Sequence, residues 1–241
     1  MEVERLEIGW GERVLMRDVS FQVDAGEIFV ILGGSGCGKS TLLRHLIGLE
    51  VARAGEIRIA GLGAPRLEAR RPAYGVMFQS GALFGSMTLH ENVALPLRAW
   101  TQLDERAIDL VVRDRLRLVG LDGFEHHFPA EISGGMKKRA GIARALALEP
   151  SLLFLDEPSA GLDPVSADEL DELLLALKSI LGVTTILVTH ELASIFKVAD
   201  RCVMLDRDQQ GVIASGDPRW LRDESQDPRV RAFFHRQSRE A

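Results

Sequence analysis

A glycine-rich loop between a predicted strand and a predicted helix constrains the fold of this chain more than any other feature. Residues 27–32 form an apolar, strand-like run, and residues 40–49 carry a helical pattern. Between them, the pattern G-x-x-x-x-G-K-[ST] is met by Gly33, Gly34, Ser35, Gly36, Cys37, Gly38, Lys39 and Ser40. Glycines let the backbone curl so that N–H groups point inward at an anion, and the helix adds its positive N-terminal dipole. The order strand, loop, helix therefore predicts an α/β domain that binds nucleotide phosphates.

The polar residues of this loop have predicted roles. Lys39 would reach the β- and γ-phosphates of ATP, and the hydroxyl of Ser40 would ligate Mg²⁺. Thr41 follows directly and is predicted to complete the phosphate site. Cys37 stands at a position that the pattern leaves open, so it is assigned no catalytic role. The alternative, a fortuitous glycine-rich turn, is disfavoured by the flanking strand and helix.

Strand and helix patterns alternate along most of the chain. Strands are predicted at residues 3–8, 19–23, 27–32, 55–60, 75–79, 152–155, 185–188 and 202–205. Helices are predicted at residues 104–119, 167–181 and 191–197. In the second of these, Ser166 and Glu169 fit a capping box at the start, and Gly182 marks the end. Such alternation implies a parallel sheet covered on both faces, which residues 86–148 interrupt as a helical insertion.

Composition excludes several classes of protein. The net charge of −6 argues against a general nucleic-acid surface, which would need clustered lysine and arginine. Cys37 and Cys202 form no spaced framework of the disulfide or zinc kind. The N-terminus lacks the apolar core of a signal peptide, and no run approaches the roughly 18–20 apolar residues of a membrane span. We therefore expect a soluble chain whose membrane role, if it has one, comes through partners.

Two adjacent carboxylates follow a second apolar strand. Residues 152–155 lead into Asp156 and Glu157, and ligands of parallel sheets collect at the carboxyl ends of strands. Asp156 is predicted to hold Mg²⁺, and Glu157 to polarise the water that attacks the γ-phosphate. Without the glycine-rich loop, a solvated loop would explain this pair better. His190 follows the strand at 185–188 and is predicted to sense the γ-phosphate, although a lone histidine is more often structural.

A second anion-binding element lies in the helical insertion. After Ile132, the residues Ser133, Gly134, Gly135 and Met136 open a predicted helix that runs to Leu148. A serine hydroxyl, glycine amides and a helix N-terminus together suit an anion. One nucleotide does not need two phosphate sites from one chain. We therefore expect a second copy of the chain, in which Ser133 of one subunit closes on the ATP that the other holds.

The order of these motifs over residues 3–215 resembles that of ABC-transporter ATPases. The resemblance implies that Gln79 is the Q-loop glutamine, which contacts Mg²⁺ and lies near the membrane subunits. It implies that residues 159–163 form the D-loop, with Asp163 at the dimer seam, and that His190 is the switch histidine. Trp10 resembles the aromatic residue that stacks on adenine; the alternative for Trp10 is a surface or core tryptophan.

The same resemblance implies the fold. We expect a single P-loop NTPase domain over residues 1–241, with a RecA-like parallel-sheet core and an N-terminal antiparallel β subdomain. Residues 3–85 and 149–215 would form that core with the β subdomain, residues 86–148 the helical subdomain, and residues 216–241 a C-terminal tail. In the tail, Val230, Phe233 and Phe234 lie on one face of a short helix with Arg229, Arg231, Arg236 and Arg239 around it. Packing on its own domain, docking on the paired subunit and contact with a membrane surface all stay open.

A narrower resemblance is to the ATPases of Mla/Mce-type lipid-transport systems. It rests on residues 78–84, 132–136 and 159–164, and most of all on Ser80–Phe84 and Met136. Met136 stands where ABC ATPases usually have glutamine, and a thioether cannot donate the hydrogen bonds of an amide. The resemblance implies phospholipid or sterol transport between bacterial envelope membranes, at the cytoplasmic face of the inner membrane. Permease subunits and, indirectly, a periplasmic Mce-type lipid-binding subunit would be the partners.

Two other classes share much of this pattern. An ABC importer or exporter of amino acids or lipoproteins would have the same catalytic residues and differ in its partners. A soluble ABC protein of translation or DNA repair usually has two ATPase halves or a long coiled coil. This chain has one phosphate loop and no extended heptads.

Overall fold

The structure is a computed structural model, and it describes residues 1–60, 63–65 and 72–235. Its strands are β1 Glu2–Trp10, β2 Arg13–Gln22, β3 Ile28–Gly33, β4 Ala54–Arg58, β5 Gly75–Met77, β6 Leu152–Asp156, β7 Thr184–Val188, β8 Arg201–Asp206 and β9 Gly211–Gly216. Its α-helices are α1 Lys39–Leu46, α2 Leu89–Trp100, α3 Glu105–Leu118, α4 Gly134–Ala145, α5 Pro164–Leu181, α6 Leu192–Val198, α7 Pro218–Glu224 and α8 Pro228–Phe234. These elements confirm the predicted α/β class.

The elements group into two compact units. The first unit combines Met1–Glu68 with Thr184–Ala241, and the second is the continuous segment Ala69–Val183. The helical subdomain predicted at residues 86–148 falls within the second unit's part of the chain. Its bounds as a separate subdomain, and those of the tail at 216–241, stay predictions.

The first unit contains an antiparallel sheet with the strand order β2-β1-β4. In β1, the side chains of Val3, Leu6 and Ile8 are fully buried, while charged residues between them face outward. Val3 and Leu6 are three residues apart, and both are buried because the pairing of β1 with β2 shifts register between them, where Arg5 has φ +44°. Val3 is level with Phe21 of β2 and with Ile57 of β4. The predicted antiparallel β region is therefore present.

A second sheet of the first unit carries the phosphate loop. Strand β3 pairs in parallel with β7 on one side and β8 on the other, and β9 pairs antiparallel with β8. Every residue of β3 is buried, as expected for a parallel strand covered on both faces. Strand β9 is an element that the sequence patterns did not predict.

The second unit combines the parallel strands β5 and β6 with helices α2 to α5. At Gly75, an added Cβ atom would lie 2.7 Å from Leu153 Cδ2 and would overlap the carbonyl oxygen of Ala145. Only glycine fits at this crossing. Tyr74 packs edge-on against Phe154, with 5.3 Å between the ring centroids. Burial of its phenol raises the pKa of Tyr74.

Helix α5 begins earlier than the sequence patterns predict. Its first residue is Pro164, and Asp163 is the N-cap, whose carboxylate accepts from the N–H groups of Val165 and Ser166. The predicted start at residue 167, with Ser166 and Glu169 as a capping box, is therefore wrong. Proline is common at the first helical position because an N–H group there has no partner within the helix. Its absence in proline therefore costs no hydrogen bond. The predicted end at Gly182 is confirmed, since this residue is in the left-handed region with φ 62°.

The C-terminal helix α8 packs on its own unit. Val230, Phe233 and Phe234 are buried, and the ring of Phe234 lies 5.6 Å from that of Phe196. Of the three interpretations of the tail, packing on its own domain holds for residues 228–234. Arg236 and Arg239 lie outside the described residues.

Candidate active site

The phosphate loop joins β3 to α1 in the first unit. Gly33 has φ +150°, and a Cβ atom there would lie 2.5 Å from the carbonyl oxygen of Leu205. Gly38 has φ +100°, and a Cβ atom there would lie 2.6 Å from Met16 Cε. Both positions favour glycine for the backbone conformation, and Gly33 also requires it because the nearby atom belongs to the backbone. Beside Gly34 and Gly36, by contrast, an added Cβ atom would meet open space.

Lys39 folds its side chain back over the loop. Its ammonium Nζ donates to the carbonyl oxygens of Gly33 at 3.0 Å and Gly34 at 3.3 Å. The residue is only 8% exposed, so its charge is held within the cradle rather than in bulk water. A fixed cation next to curled backbone amides is suited to phosphate oxygens. Ser40 is exposed in the first turn of α1, as a hydroxyl ligand for a metal must be.

Cys37 is a buried part of the loop. Burial raises the pKa of its thiol, and the nearby Lys39 charge opposes this only in part. A thiol that stays protonated is a poor nucleophile. This agrees with the sequence-based assignment of Cys37 to the loop without a catalytic role.

His190 leaves the same sheet edge as the phosphate loop. Strands β3 and β7 run parallel, and Ile31 is level with Val188. Gly33 and His190 each lie two residues after a member of this pair, so they leave the sheet at the same level. The backbone N–H of Glu191 donates to the hydroxyl of Thr189 at 3.1 Å, which fixes the turn after the strand. The imidazole of His190 is about half exposed. Within the first unit, the geometry therefore supports a histidine that faces the ligand side of the sheet.

Trp10 lies at the end of β1, where the chain turns into β2. Its indole is 51% exposed and accessible to a ligand, as are those of Trp100 at 39% and Trp220 at 58%. The following strand β2 brings Leu15 and Met16 against the start of α1 at Gly38. The hairpin with Trp10 and the phosphate loop thus belong to one packed unit. The structure does not favour the core alternative for Trp10.

In the second unit, the acidic pair and Gln79 lie at one sheet edge. Strands β5 and β6 run parallel with Met77 level with Leu155, so Gln79 and Glu157 both follow by two residues. Asp156 and Glu157 are each 8% exposed, whereas Gln79 is exposed. Glu157 has φ +48°, a left-handed conformation that costs energy in a residue with a side chain. Such strain is typical of catalytic positions.

The sequence patterns missed a buried lysine beside this edge. Lys138 Nζ donates to the carbonyl oxygen of Glu157 at 3.3 Å and to that of Gln79. Burial lowers the pKa of Lys138, and the charges of Asp156 and Glu157 oppose this. A signal was present in the sequence, because Lys138 is in helical register with the apolar residues Ile142 and Ala145, which are buried in α4.

Ser133 and Asp163 cap neighbouring helices in the second unit. The hydroxyl of Ser133 accepts from the N–H of Met136 at 3.2 Å. Hydrogen bonds from Ser166 lower the pKa of Asp163, whose carboxylate accepts from the Ser166 hydroxyl at 2.6 Å. A Cβ atom on Gly135 would lie 3.6 Å from Ser166, and one on Gly134 would lie 3.6 Å from Leu162. The predicted anion-binding turn and the predicted D-loop are therefore adjacent.

The donors proposed for Mg²⁺ fit the preferences of that ion. Within the described ranges, no group of three or more His, Cys, Asp or Glu side chains is arranged to hold a metal ion. Mg²⁺ that accompanies a nucleotide takes one or two carboxylates, waters and the substrate's phosphates rather than a protein cage. Ser40, Gln79 and Asp156 offer the hard oxygen donors that such a site uses.

Among the residues that the structure describes, no helix is long and apolar enough to cross a membrane.

Comparisons of sequence relate the chain to characterised transport ATPases. Residues 16–160 match the family described as ABC transporter. The chain is 42% identical over 240 residues to the probable ribonucleotide transport ATP-binding protein Mkl of Mycobacterium leprae, covering 98% of this chain and 68% of that one. It is 42% identical over 229 residues to the intermembrane phospholipid transport system ATP-binding protein MlaF of Escherichia coli, covering 93% and 84%. It is 42% identical over 205 residues to the sulfate/thiosulfate import protein CysA 2 of Agrobacterium fabrum, covering 85% and 60%.

Two solved structures share the fold of this chain. CbiO1 of Clostridium perfringens, part of an ABC transporter complex, has a TM-score of 0.82 and 29% identity, covering 92% of this chain and 90% of that one. A dimeric ATP-binding cassette in a post-hydrolysis state with ADP and phosphate has a TM-score of 0.78 and 28% identity, covering 90% and 97%. With a matched family over residues 16–160 and relatives at 42% identity over most of their length, this chain belongs to the ABC transporter family as an ATP-binding ATPase subunit.

Proposed function

We propose that this ATPase powers phospholipid transport between the membranes of a bacterial envelope. It would act as a homodimer on permease subunits at the cytoplasmic face of the inner membrane. A periplasmic Mce-type lipid-binding subunit would be an indirect partner. The observation that carries the lipid assignment is the similarity to MlaF, named as an intermembrane phospholipid transport protein, over 84% of its length.

Binding of ATP falls mainly to the first unit. The amides of Gly33, Gly34, Ser35, Gly36, Cys37 and Gly38 would hold the phosphates, with Thr41 at the end of the loop. Lys39 supplies a buried positive charge toward the β- and γ-phosphates, and Trp10 offers an exposed indole for stacking on adenine. Because charge and amides are already fixed, little reorganisation is needed when ATP binds.

Hydrolysis would depend on Glu157 as the general base. Its carboxylate would accept a proton from the water that attacks the γ-phosphate, and the strained backbone at φ +48° would hold it in place. His190 would contact the γ-phosphate and register its loss. Bound Mg²⁺ would neutralise charge that develops on the phosphate oxygens, with Ser40, Gln79 and Asp156 as its protein-side donors.

Dimerisation would complete each site. The chain has two elements suited to phosphate, the loop before α1 and the turn capped by Ser133, and one nucleotide uses only one from each chain. Ser133, Gly134 and Gly135 of one subunit would therefore close on the ATP of the other, with Asp163 at the seam. Hydrolysis removes the γ-phosphate that joins the two surfaces and so releases the dimer. Membrane subunits resting near Gln79 and the helical insertion would be moved by this closure.

The Glu157→Gln variant tests the proposed base. It should bind Mg-ATP and form an ATP-dependent dimer, while turnover falls by roughly 10²- to 10⁴-fold, since glutamine cannot take the proton. Phosphate release and light scattering measure the two effects on the same sample. Glu169→Gln, a change on the exposed surface of α5, is the control and should keep the parent rate. Hydrolysis by Glu157→Gln at the parent rate would show that Glu157 is not the base.

The cargo is tested on the assembled transporter. We expect complexes purified with this subunit from native membranes in mild detergent to contain phospholipid at a defined stoichiometry, measured by mass spectrometry against a detergent-matched membrane protein. Added phospholipid vesicles should stimulate ATP turnover. The similarity to CysA 2 favours a sulfate or thiosulfate importer as the second candidate. Stimulation by a small solute such as sulfate or an amino acid, with no bound lipid, would contradict the lipid assignment.

A further inference from the structure

Helix α4 holds the loop after β5 through charged side chains. Lys138 donates to the carbonyl oxygen of Gln79, and Arg144 donates to those of Gly81 at 3.0 Å and Ala82 at 2.7 Å. At Gly141, an added Cβ atom would lie 3.2 Å from Gly81, so the helix and the loop touch through backbone atoms. The backbone that presents Gln79 is thus held by α4 as well as by its own turn, in which the N–H of Gly81 donates to the carbonyl oxygen of Phe78 at 2.7 Å.

Lys138 differs from Arg144 because it also reaches the end of β6. The same ammonium lies 3.3 Å from the carbonyl oxygen of Glu157. That carbonyl also accepts from the N–H of Ala160 at 3.1 Å, and it belongs to the residue with φ +48°, a backbone conformation that costs energy. One side chain therefore joins the two segments that end in Gln79 and Glu157.

Packing alone does not explain a lysine at this position. Lys138 is 7% exposed, and placing an ammonium there costs desolvation energy that an apolar side chain of similar length would avoid. Its hydrogen bonds go to backbone carbonyls of two segments that are far apart in sequence. Both segments end in residues to which the proposed function gives a role in hydrolysis.

We propose that Lys138 is a positioning residue that sets the carboxylate of Glu157 relative to Gln79. It contacts neither ATP nor the attacking water; it acts by fixing the two carbonyls that determine where the adjacent side chains point. This inference rests on the proposed role of Glu157. Its consequence is that Lys138 influences the hydrolysis step and leaves the binding of ATP unchanged.

Substitution of Lys138 in the full-length ATPase tests the proposal. Lys138→Met keeps the length and removes the charge, so kcat should fall by roughly 10- to 100-fold, because a misplacement of about 1 Å costs that much. The KM for ATP and the stoichiometry of ATP binding should stay near the parent values. Lys138→Arg, which keeps the donors, should restore most of kcat. Lys137→Met, the same change at the adjacent residue of α4, is the matched control and should leave kcat unchanged.

Three results would overturn the inference: two concern Lys138→Met, and the third concerns the variant that replaces it if it does not fold. The first is a parent-like kcat in Lys138→Met. The second is a loss of kcat that accompanies an equal loss of ATP-binding stoichiometry and is not restored by arginine, which would show a folding defect. If Lys138→Met does not fold, Lys138→Leu, which also lacks a donor, replaces it, with the same expected fall in kcat and the same parent-like binding of ATP. A parent-like kcat in that variant counts against the inference as well.

A double substitution separates this inference from the proposed function. If Lys138 acts through Glu157, then Glu157→Gln with Lys138→Met should show the same residual turnover as Glu157→Gln alone. Additive losses would contradict the positioning role and leave the base assignment intact. A parent-like rate of Glu157→Gln alone would instead refute the base assignment.

Discussion

Gly75 shows how closely a single residue can be constrained in this protein. A Cβ atom there would lie 2.7 Å from Leu153 and would overlap the carbonyl oxygen of Ala145. Backbone atoms cannot move aside as the end of a flexible side chain can. The start of β5, and with it the position of Gln79, therefore depends on glycine at position 75, which has no Cβ atom.

Gly75→Ala should destabilise the second unit. The added methyl group forces backbone shifts, so the free energy of unfolding should fall by about 1–3 kcal/mol. Urea titration followed by circular dichroism measures it. Gly85→Ala is the matched control, since a Cβ atom at Gly85 meets open space. Equal stability of the two variants would mean that the crossing at Gly75 relaxes without cost.

The sequence predicts the roles of some site residues and not of others. The phosphate loop, Asp156 with Glu157, and Ser133 could be predicted because each combines a chemical type with a fixed place next to a strand or helix. Lys138 could not, since its partners Gln79 and Glu157 are distant in sequence and only the folded chain brings their carbonyls together. The helical register with Ile142 and Ala145 places Lys138 on the apolar side of α4, but it does not show which groups the ammonium contacts.

Among the helices, α2 has the most complete N-terminal cap. The hydroxyl of Thr88 accepts from the N–H of Glu91 at 3.2 Å, and the carboxylate of Glu91 accepts from the N–H of Thr88 at 2.7 Å. The N–H of Thr88 and its hydroxyl, which donates to the same carboxylate at 3.2 Å, lower the pKa of Glu91. The carboxylate's contribution is thus present above the usual pKa of glutamate and is lost as the pH falls through the lowered value.

Thr88→Ala should weaken this helix. Loss of an N-cap hydroxyl costs about 1 kcal/mol, and the loss should shrink in acid as Glu91 becomes protonated. With Trp10 and Trp220 replaced by phenylalanine, the fluorescence of Trp100 at the end of α2 reports unfolding of the second unit. Ser86→Ala, an exposed position in the preceding loop, serves as control. A destabilisation that did not depend on pH would show that the Thr88 hydroxyl does not donate to the Glu91 carboxylate.

The order of elements could be predicted, and the details of their ends could not. Parallel strands such as β3 are continuous apolar runs, which a sequence shows directly. The start of α5 was predicted three residues late, because Ser166 and Glu169 fit a capping box while Asp163 accepts two backbone hydrogen bonds before Pro164. Strand β9 was missed because four of its six residues are glycine, alanine or serine, and its pairing with β8 sets its conformation.

At the scale of the whole molecule, the proposed dimerisation through the Ser133 turn can be tested separately from ATP binding. Aspartate is as good an N-cap as serine, so Ser133→Asp should keep α4 intact while it places a negative charge toward the partner's phosphates. In the Glu157→Gln background, ATP should then bind each chain with unchanged affinity, and the ATP-dependent dimer should disappear in light scattering. Ser86→Asp, elsewhere on the second unit, should dimerise normally. A dimer that survives Ser133→Asp would place the interface elsewhere.

The division of the first unit between two distant segments has a consequence during synthesis. The N–H of Gly26, just before β3, donates to Thr184, which lies 158 positions further along the chain. Strand β3 has both its neighbours, β7 and β8, in that later segment. At bacterial translation rates the ribosome needs on the order of 10 s to reach it. Until then the nascent chain carries an apolar strand without its partners, so the phosphate loop takes its final form only after β7 and β8 have been made.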